Sequence, residues 1–295
     1  MYMKIIYIIP VYNDEESFLN LFKEIQSTNS HYDNNFLIIN DCSSQKFDKL
    51  PEGKKITEII LEKNSGSQKA ITIGLNYIFD KKIDFDYLIV MDSDGEDKPT
   101  DIKKLIEETN KKNNNTIMFA SRRKRFESFT FKFLYFVYKI LFKVLTGKNL
   151  NFGNYSCVPK NNLEDLIKVS SIDFHYSAAI VKSKLKYDTI LCDKGNRYCG
   201  KSNMSYLGLF FHAIKSLSIF YKTIFFRFLF LFFVSNFFLL LNLDLAIVFK
   251  INLLLLTLFL IFFIYAFFLI KLRVSKKNFI NILNYNHFVK DIKFL

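Results

Sequence analysis

A chain of 295 residues has room for one α/β domain of ordinary size plus an appendage. Lys and Arg total 41 against 28 Asp and Glu, and the resulting net charge of +13 suits a polyanionic partner: nucleic acid, an anionic membrane surface or a phosphorylated substrate. The four cysteines (Cys42, Cys157, Cys192 and Cys199) show no CxxC spacing and no clustering with the four histidines, which argues for reduced thiols and against a zinc site.

The apolar start, "MYMKIIYIIPVYN", is too short for a signal peptide and is interrupted by Pro10, so it reads as a first buried strand over 4–12. "DEESFLNLFKEIQ" (14–26) follows with Phe18, Leu21, Phe22 and Ile25 at helical spacing. Residues 35–41, 57–64, 86–92 and 116–122 read as further strands, and 67–79 and 100–112 as helices between them. Continuous apolar strands alternating with helices predict an α/β fold with a mostly parallel sheet covered on both faces. Functional residues of such a sheet gather at the carboxyl ends of its strands, where Pro10 to Glu15, Asp41, Asn64 and Asp92 to Asp94 all fall.

From about Phe129 the character changes. In the stretch ending "FTFKFLYFVYKILFKVLTG", Arg125, Lys132, Lys139 and Lys143 keep to one narrow arc of a helix whose remainder is aromatic and aliphatic. That is the pattern of a helix lying in the lipid interface, or of one packed on a core with a wet edge. Residues 206–222 repeat the theme. Two apolar runs then follow at 224–243 and 251–270, each long enough to cross a bilayer's hydrocarbon core of about 30 Å. Lys222 and Arg227 precede them, and Lys271, Arg273, Lys276 and Lys277 come after, so the positive-inside rule predicts a hairpin with both ends cytoplasmic. The resulting division is a core over 1–125, an acceptor region with interfacial helices over 126–222, a two-helix membrane hairpin over 223–271 and a basic cytoplasmic tail over 272–295. Basic residues set in apolar helices beside membrane runs argue against nucleic acid and for the membrane as partner.

"DYLIVMDSDGEDKPTDI" (86–102) ends a buried strand on Asp92, skips Ser93 and adds Asp94. Two carboxylates so close are tolerable when a divalent cation carrying a diphosphate sits against them, and hard oxygen ligands suit Mg2+ or Mn2+. An acidic turn capping the helix near Thr100 has the same appearance.

The order and spacing of four segments resemble the family-2 glycosyltransferases of GT-A fold, which use nucleotide sugars. These are "IPVYNDEE" (9–16), "INDCSSQ" (39–45, with Asn40 in place of the family's first acid), "KNSGSQKAITIGL" (63–75) and "MDSDGEDKP" (91–99). "ASRRKRF" (120–126), "NFGNYSCVPK" (151–160) and "NRYCGKSNMSYLGLFFHAIKSLSIF" (196–220) are further similar to the polyprenyl-phosphate sugar transferases, such as dolichol-phosphate mannose synthase. Ser156 stands where that subgroup usually has Arg, and Asn203 where it usually has Lys. The resemblance implies a nucleotide site made by Pro10, Tyr12, Asn13, Glu15, Asp41, Asn64, Lys69 and Asp92, with UDP favoured over GDP. It implies a cation on Asp94 and Asp92, with Arg122 beside it to neutralise the departing diphosphate. Arg123, Arg197, Lys201 and Ser202 would face an acceptor phosphate.

The function so implied is transfer of a hexose from a nucleotide sugar to polyprenyl phosphate by an inverting, membrane-anchored enzyme on the cytoplasmic face. A hydroxyl of a lipid-linked or envelope glycan is the alternative acceptor. It would need a general base, for which His175 and Asp193 are the candidates. A non-catalytic nucleotide-binding membrane protein is the alternative of another class, and homo-oligomerisation stays open.

Overall fold

The computed structural model describes residues 2–44, 55–122, 129–200, 206–237, 245–274 and 284–295. In chain order the elements are β1 (Lys4–Val11), α1 (Glu15–Thr28), β2 (Asp33–Asn40), β3 (Ile56–Leu61), α2 (Ser67–Asp80), β4 (Tyr87–Val90), α3 (Ile102–Lys111) and β5 (Ile117–Arg122). There follow α4 (Phe129–Thr146), β6 (Phe152–Pro159), α5 (Leu163–Ile167), α6 (Tyr176–Lys182), β7 (Tyr187–Cys192), α7 (Tyr206–Ser218), α8 (Tyr221–Phe237), α9 (Leu245–Val274) and β8 (Val289–Phe294). They form two compact units: Met1–Phe129 with Asn151–Asn203 and Ile280–Leu295, and Thr130–Leu150 with Met204–Phe279.

The first unit is built on one sheet of order β7-β5-β6-β4-β1-β2-β3-β8. β1 pairs in parallel with β2 and β4, β2 with β3, and β5 with β7. The mostly parallel α/β class expected from the sequence is therefore what the chain forms. β1 is buried from Ile5 to Val11, because side chains alternate between two covered faces and both must be apolar. On one face Tyr7 stacks on Phe36 with ring centroids 5.0 Å apart, and Phe18, Leu21, Phe22 and Ile25 of α1 close over them. On the other, α2 approaches so closely at Gly74 that a Cβ there would lie 2.9 Å from Ile8 Cγ2.

The sheet reaches beyond the 1–125 core read from the sequence. β6 inserts between β4 and β5 and runs antiparallel to both. At the far edge β8 pairs antiparallel with β3, Thr57 opposite Phe294 and Leu61 opposite Val289. The final residues, expected in a basic tail, are thus a strand of this unit, anchored by the buried rings of Tyr285 and Phe288. β8 escapes a hydropathy reading because it is an edge strand, charged outward as edge strands tend to be.

The second unit contains α7, α8, α9 and nearly all of α4. Tyr138 and Ser216 hydroxyls meet at 2.8 Å, Arg227 donates to the Val144 carbonyl, and Phe225 packs on Phe259 and Phe263. On α4, Phe142 is buried while Phe133, Leu134, Phe136, Ile140, Leu141 and Val144 are exposed, and Lys139 and Lys143 are exposed with them. Lys132 and Arg125, the other members of the basic stripe, have no described side chain.

Among the described residues one helix, over Ala246–Ile264, is long and apolar enough to cross a membrane by itself, where the sequence led us to expect two. The span expected at 224–243 is represented by α8, whose 17 residues reach about 25 Å, short of the hydrocarbon thickness. Residues 238–244 lie outside the described residues. Leu207–Ser218 and Tyr221–Val234 meet the same criterion only together and are bent by 81°, the geometry of a broken span or a re-entrant loop.

Candidate active site

β4, β1 and β2 are consecutive in the sheet, so their carboxyl ends bring Asp92, Pro10–Asn13 and Asp41 to one rim. The β1 turn is fastened to the β2 turn through Asn13, which sits at φ 49°. Its N–H donates to Ser43 Oγ (2.9 Å), and its Oδ1 accepts from the Ser44 N–H (2.8 Å) and hydroxyl (3.0 Å). Pro10 is buried beneath this turn, whereas Tyr12 is 46% exposed and presents its ring to solvent. Glu15, at the start of α1, is half-buried, and its Oε1 is buried with no hydrogen-bond partner.

Asp41 has another occupation. Its Oδ1 accepts the Ser65 N–H at 2.6 Å and its Oδ2 the Gly66 N–H at 2.7 Å, tying β2 to the turn that opens α2. Burial pushes the Asp41 carboxyl up, against the pull of those two N–H groups and of Lys69. Each oxygen keeps a second lone pair for a ligand. Asn64 is exposed on the same turn, and the Lys69 ammonium lies 5.7 Å from the centre of the Phe288 ring.

The acidic turn carries more than the two aspartates singled out in the sequence. Asp97 is 5% exposed, and its Oδ2 accepts the Asp92 N–H at 3.1 Å. Arg122, at the end of β5, bridges Glu96 Oε2 (2.8 Å) and Asp97 Oδ1 (3.3 Å). Lys194 reaches the same Glu96 oxygen at 3.0 Å. Arg197 Nη1 lies 2.5 Å from Asp94 Oδ2 and 3.6 Å from Glu96 Oε1. Among the described residues, four acids therefore face three cations.

The electrostatics follow. Burial, then the charges of Asp97 and Asp94, push Asp92 well above the carboxylate range. Burial also raises Asp97, against the pull of Arg122, and raises Asp94, against the Glu96 N–H and Arg197. Burial works the same way on Glu96, but the hydrogen bonds from Arg122 and Lys194 outweigh it and leave that carboxyl below its usual value. Burial opposes the charge on Arg122, and Asp97 and Glu96 more than restore it.

This donor set fits a cation of the Mg2+ or Mn2+ kind. Asp92 and Asp94 supply one or two carboxylates and leave the remaining positions to water and substrate phosphate, as these ions prefer. No closed cage is present: among the described residues no three His, Cys, Asp or Glu side chains converge as a metal site.

His175 lies elsewhere in role. It is 4% exposed, and its Nδ1 accepts the Ala178 N–H at 3.3 Å as the N-cap of α6. Asp193 is exposed just beyond β7. Ser156 is fully buried on β6 and shares a 3.0 Å hydrogen bond with the Tyr176 hydroxyl. Arg123, Lys201 and Ser202 lie outside the described residues. Sequence reasoning missed Glu96, Asp97, Lys194 and Tyr198. The acids "ED" within the segment 91–99 were the available signal; the resemblance had singled out Arg122, their partner on β5, but nothing local marks Lys194 after β7.

Comparison with known proteins bears on the family and the fold. The model of the family described as glycosyl transferase family 2 matches residues 7–165. The undecaprenyl-phosphate 4-deoxy-4-formamido-L-arabinose transferase of Proteus mirabilis (strain HI4320) is 27% identical over 165 residues, 52% of this chain and 47% of that protein. Its counterpart in Klebsiella pneumoniae (strain 342) is 24% identical over 163 residues, again 52% and 47%. The chain thus spans about half the length of these curated relatives. Among solved structures, glucosyl-3-phosphoglycerate synthase from Mycobacterium tuberculosis, in complex with Mn2+, UDP-glucose and phosphoglyceric acid, superposes with a TM-score of 0.55 at 12% identity. That likeness covers 76% of this chain and 79% of the other, and identifies the fold as GT-A-like.

Proposed function

Because the chain belongs to glycosyl transferase family 2, we propose that it moves a hexose from a nucleoside-diphosphate sugar to polyprenyl phosphate at the cytoplasmic face of a membrane. The observation that carries this reading is the acidic turn. Asp92, Asp94 and Asp97 lie at the end of β4, beside the β1 and β2 turns, with Arg122, Lys194 and Arg197 directed into them. Asp94, with Asp92 beside it, would hold Mg2+ or Mn2+, which neutralises charge on a departing diphosphate when bound. The neighbour of the same fold holds Mn2+ and UDP-glucose, which is why we favour UDP as the donor nucleotide.

The roles of the chain's own residues follow from where they stand. Tyr12 offers an exposed ring on which a base can stack, and Glu15 brings an unspent buried oxygen to the same turn. Asp41 holds the β2 and α2 turns at fixed distance and keeps lone pairs for a base N–H or a ribose hydroxyl. Arg122 fixes Glu96 and Asp97, and with Lys194 it keeps the turn from repelling a diphosphate. An acceptor phosphate is ionised at neutral pH and needs no general base. This agrees with a His175 whose Nδ1 is committed to capping α6.

One observation favours a hydroxyl acceptor instead: Ser156, buried and hydrogen-bonded to Tyr176, supplies no cation where the resembling subgroup carries Arg. The named relatives act on undecaprenyl phosphate, and that weighs the reading toward the lipid phosphate.

Membrane attachment through a hairpin draws support from β8. The chain leaves the sheet unit near Asn203, passes through α7, α8 and α9, and rejoins the same sheet. If α9 crosses a bilayer, a second crossing must return the chain, and the bent α7–α8 pair is the segment available. The test of the whole reading is to incubate membranes containing the protein with a panel of labelled nucleotide sugars. Label should appear in an organic-solvent-extractable, mild-acid-labile lipid. Label in an acid-stable glycan would transfer the assignment to a hydroxyl acceptor.

A further inference from the structure

Residues 194–198 lie directly over the acidic turn. The Gly195 N–H donates to the Glu96 carbonyl at 2.8 Å, and the Tyr198 N–H to the Asp94 carbonyl at 3.0 Å. A Cβ on Gly95, which sits at φ +86°, would fall 2.5 Å from the Tyr198 ring. This seating aims Arg197 at Asp94. Of the two Asp94 oxygens, Oδ1 accepts the Glu96 N–H at 2.9 Å, and Oδ2 is the one Arg197 takes at 2.5 Å. The guanidinium is not fully satisfied there, since its Nε is buried without a hydrogen-bond partner. A divalent cation approaching Oδ2 meets a positive charge already in contact with it, and the two repel.

We infer that Arg197 is a counter-ion latch: it occupies Asp94 in the cation-free protein and yields that carboxylate only when a nucleoside diphosphate arrives with the cation. The inference rests on the reading of Asp94 as the cation ligand. The diphosphate supplies both halves of the exchange. Its oxygens share the cation, and they offer the displaced guanidinium a bidentate partner at least as good as a single carboxylate oxygen. Donor entry breaks the contact of Arg197 with the acidic turn. Free protein, by the same logic, retains the cation poorly.

The experiment measures Mn2+ binding to the full-length protein in detergent, from loss of the free-ion electron paramagnetic resonance signal, with and without UDP. Wild type should bind Mn2+ weakly alone and tightly with UDP. Arg197→Ala should tighten binding of Mn2+ alone by about 5- to 150-fold, the ordinary span of coupling between two sites, and should shrink the effect of UDP. Arg197→Gln, neutral and of nearer reach, carries the same test should the alanine variant not fold. Folded variants that bind Mn2+ alone no more tightly than wild type overturn the latch, while loss of binding in Asp94→Asn with UDP present leaves the cation reading standing. Wild-type protein that binds no Mn2+ even with UDP overturns both.

Discussion

His175 shows how a chemically suggestive residue takes on a structural task. A lone histidine in "IDFHYSAA" reads as a base, but its ring nitrogen accepts the Ala178 N–H and the side chain is buried. Removing an N-cap acceptor ordinarily costs about 1 kcal/mol, so His175→Ala should lower the unfolding midpoint modestly and leave most of the turnover. A fall in rate of about 10²–10⁴-fold, with nucleotide affinity intact, would instead identify a general base and hence a hydroxyl acceptor. The buried carboxyls make a second prediction. Asp92 and Asp97 are raised, chiefly by burial, so the folded chain binds more protons than the unfolded chain above the ordinary carboxylate range. Stability of the chelator-treated protein should therefore fall as pH rises out of that range and through the raised values. Melting temperatures measured across that span should decline, and Asp97→Asn should flatten the slope. A melting temperature that climbs with pH would contradict the assignment. At this scale the sequence disclosed the pair at 92 and 94, since two acids ending an apolar strand are conspicuous. It singled out Arg197 as a candidate ligand of an acceptor phosphate but not as a partner of Asp94, because the two are brought together only by the sheet and by the close approach of Gly95 and Gly195.

Among the elements, those with both faces covered were legible. β1 to β5 and α1 to α3 appear where uninterrupted apolar runs and helical spacing place them, with ends within two residues except that β3 stops at Leu61, three short of the expected 64. β6 was visible as a motif but not as a strand, since "NFGNYSCVPK" opens with polar residues and turns inward only from Tyr155. Its antiparallel insertion between β4 and β5 depends on pairing partners distant in the chain. β7 and β8 are half-exposed and carry no clear period. The C-terminal segment nonetheless bears on stability. Tyr285 is fully buried and donates to Asp80 Oδ2 at 2.7 Å, while Phe288 packs under Lys69. Tyr285→Phe should cost about 0.5–1 kcal/mol, Asp80 being partly open to water. Deleting 284–295 removes both rings and uncovers the β3 edge; as each buried aromatic is worth about 3–5 kcal/mol, that variant should unfold or aggregate. Denaturant titration of the two variants measures the difference, and an unchanged midpoint in the deletion would show that β8 contributes nothing.

For the whole molecule, the second unit is drawn from two stretches of chain, Thr130–Leu150 and Met204–Phe279. Only 6% of the Ala246–Ile264 window is buried within the protein, so almost all of that apolar surface is uncovered, as the proposed crossing of a bilayer would require. A simple truncation before α7 would remove β8 as well and confuse anchoring with folding. Replacing residues 204–279 by a flexible linker avoids this, because both joined ends belong to the same unit. That protein should still bind nucleotide and should be released from membranes by alkaline washing, having kept only α4 with its exposed apolar face. Retention in the washed pellet would make α4, and not the later helices, the principal anchor.

The pairing of β3 with β8 also sets an order of events during synthesis. Leu61 leaves the ribosome long before Val289, and every apolar helix of the second unit emerges between them. Throughout that interval the outer edge of Ile56–Leu61 has no strand beside it, and its N–H and C=O groups offer a template to any passing chain. Under the proposed membrane attachment, α7 to α9 would enter the bilayer before the last strand arrives. A polypeptide stalled in that interval keeps an open sheet edge as well as its unburied apolar helices. The strand synthesised after those helices is thus the one that closes the sheet's outer edge.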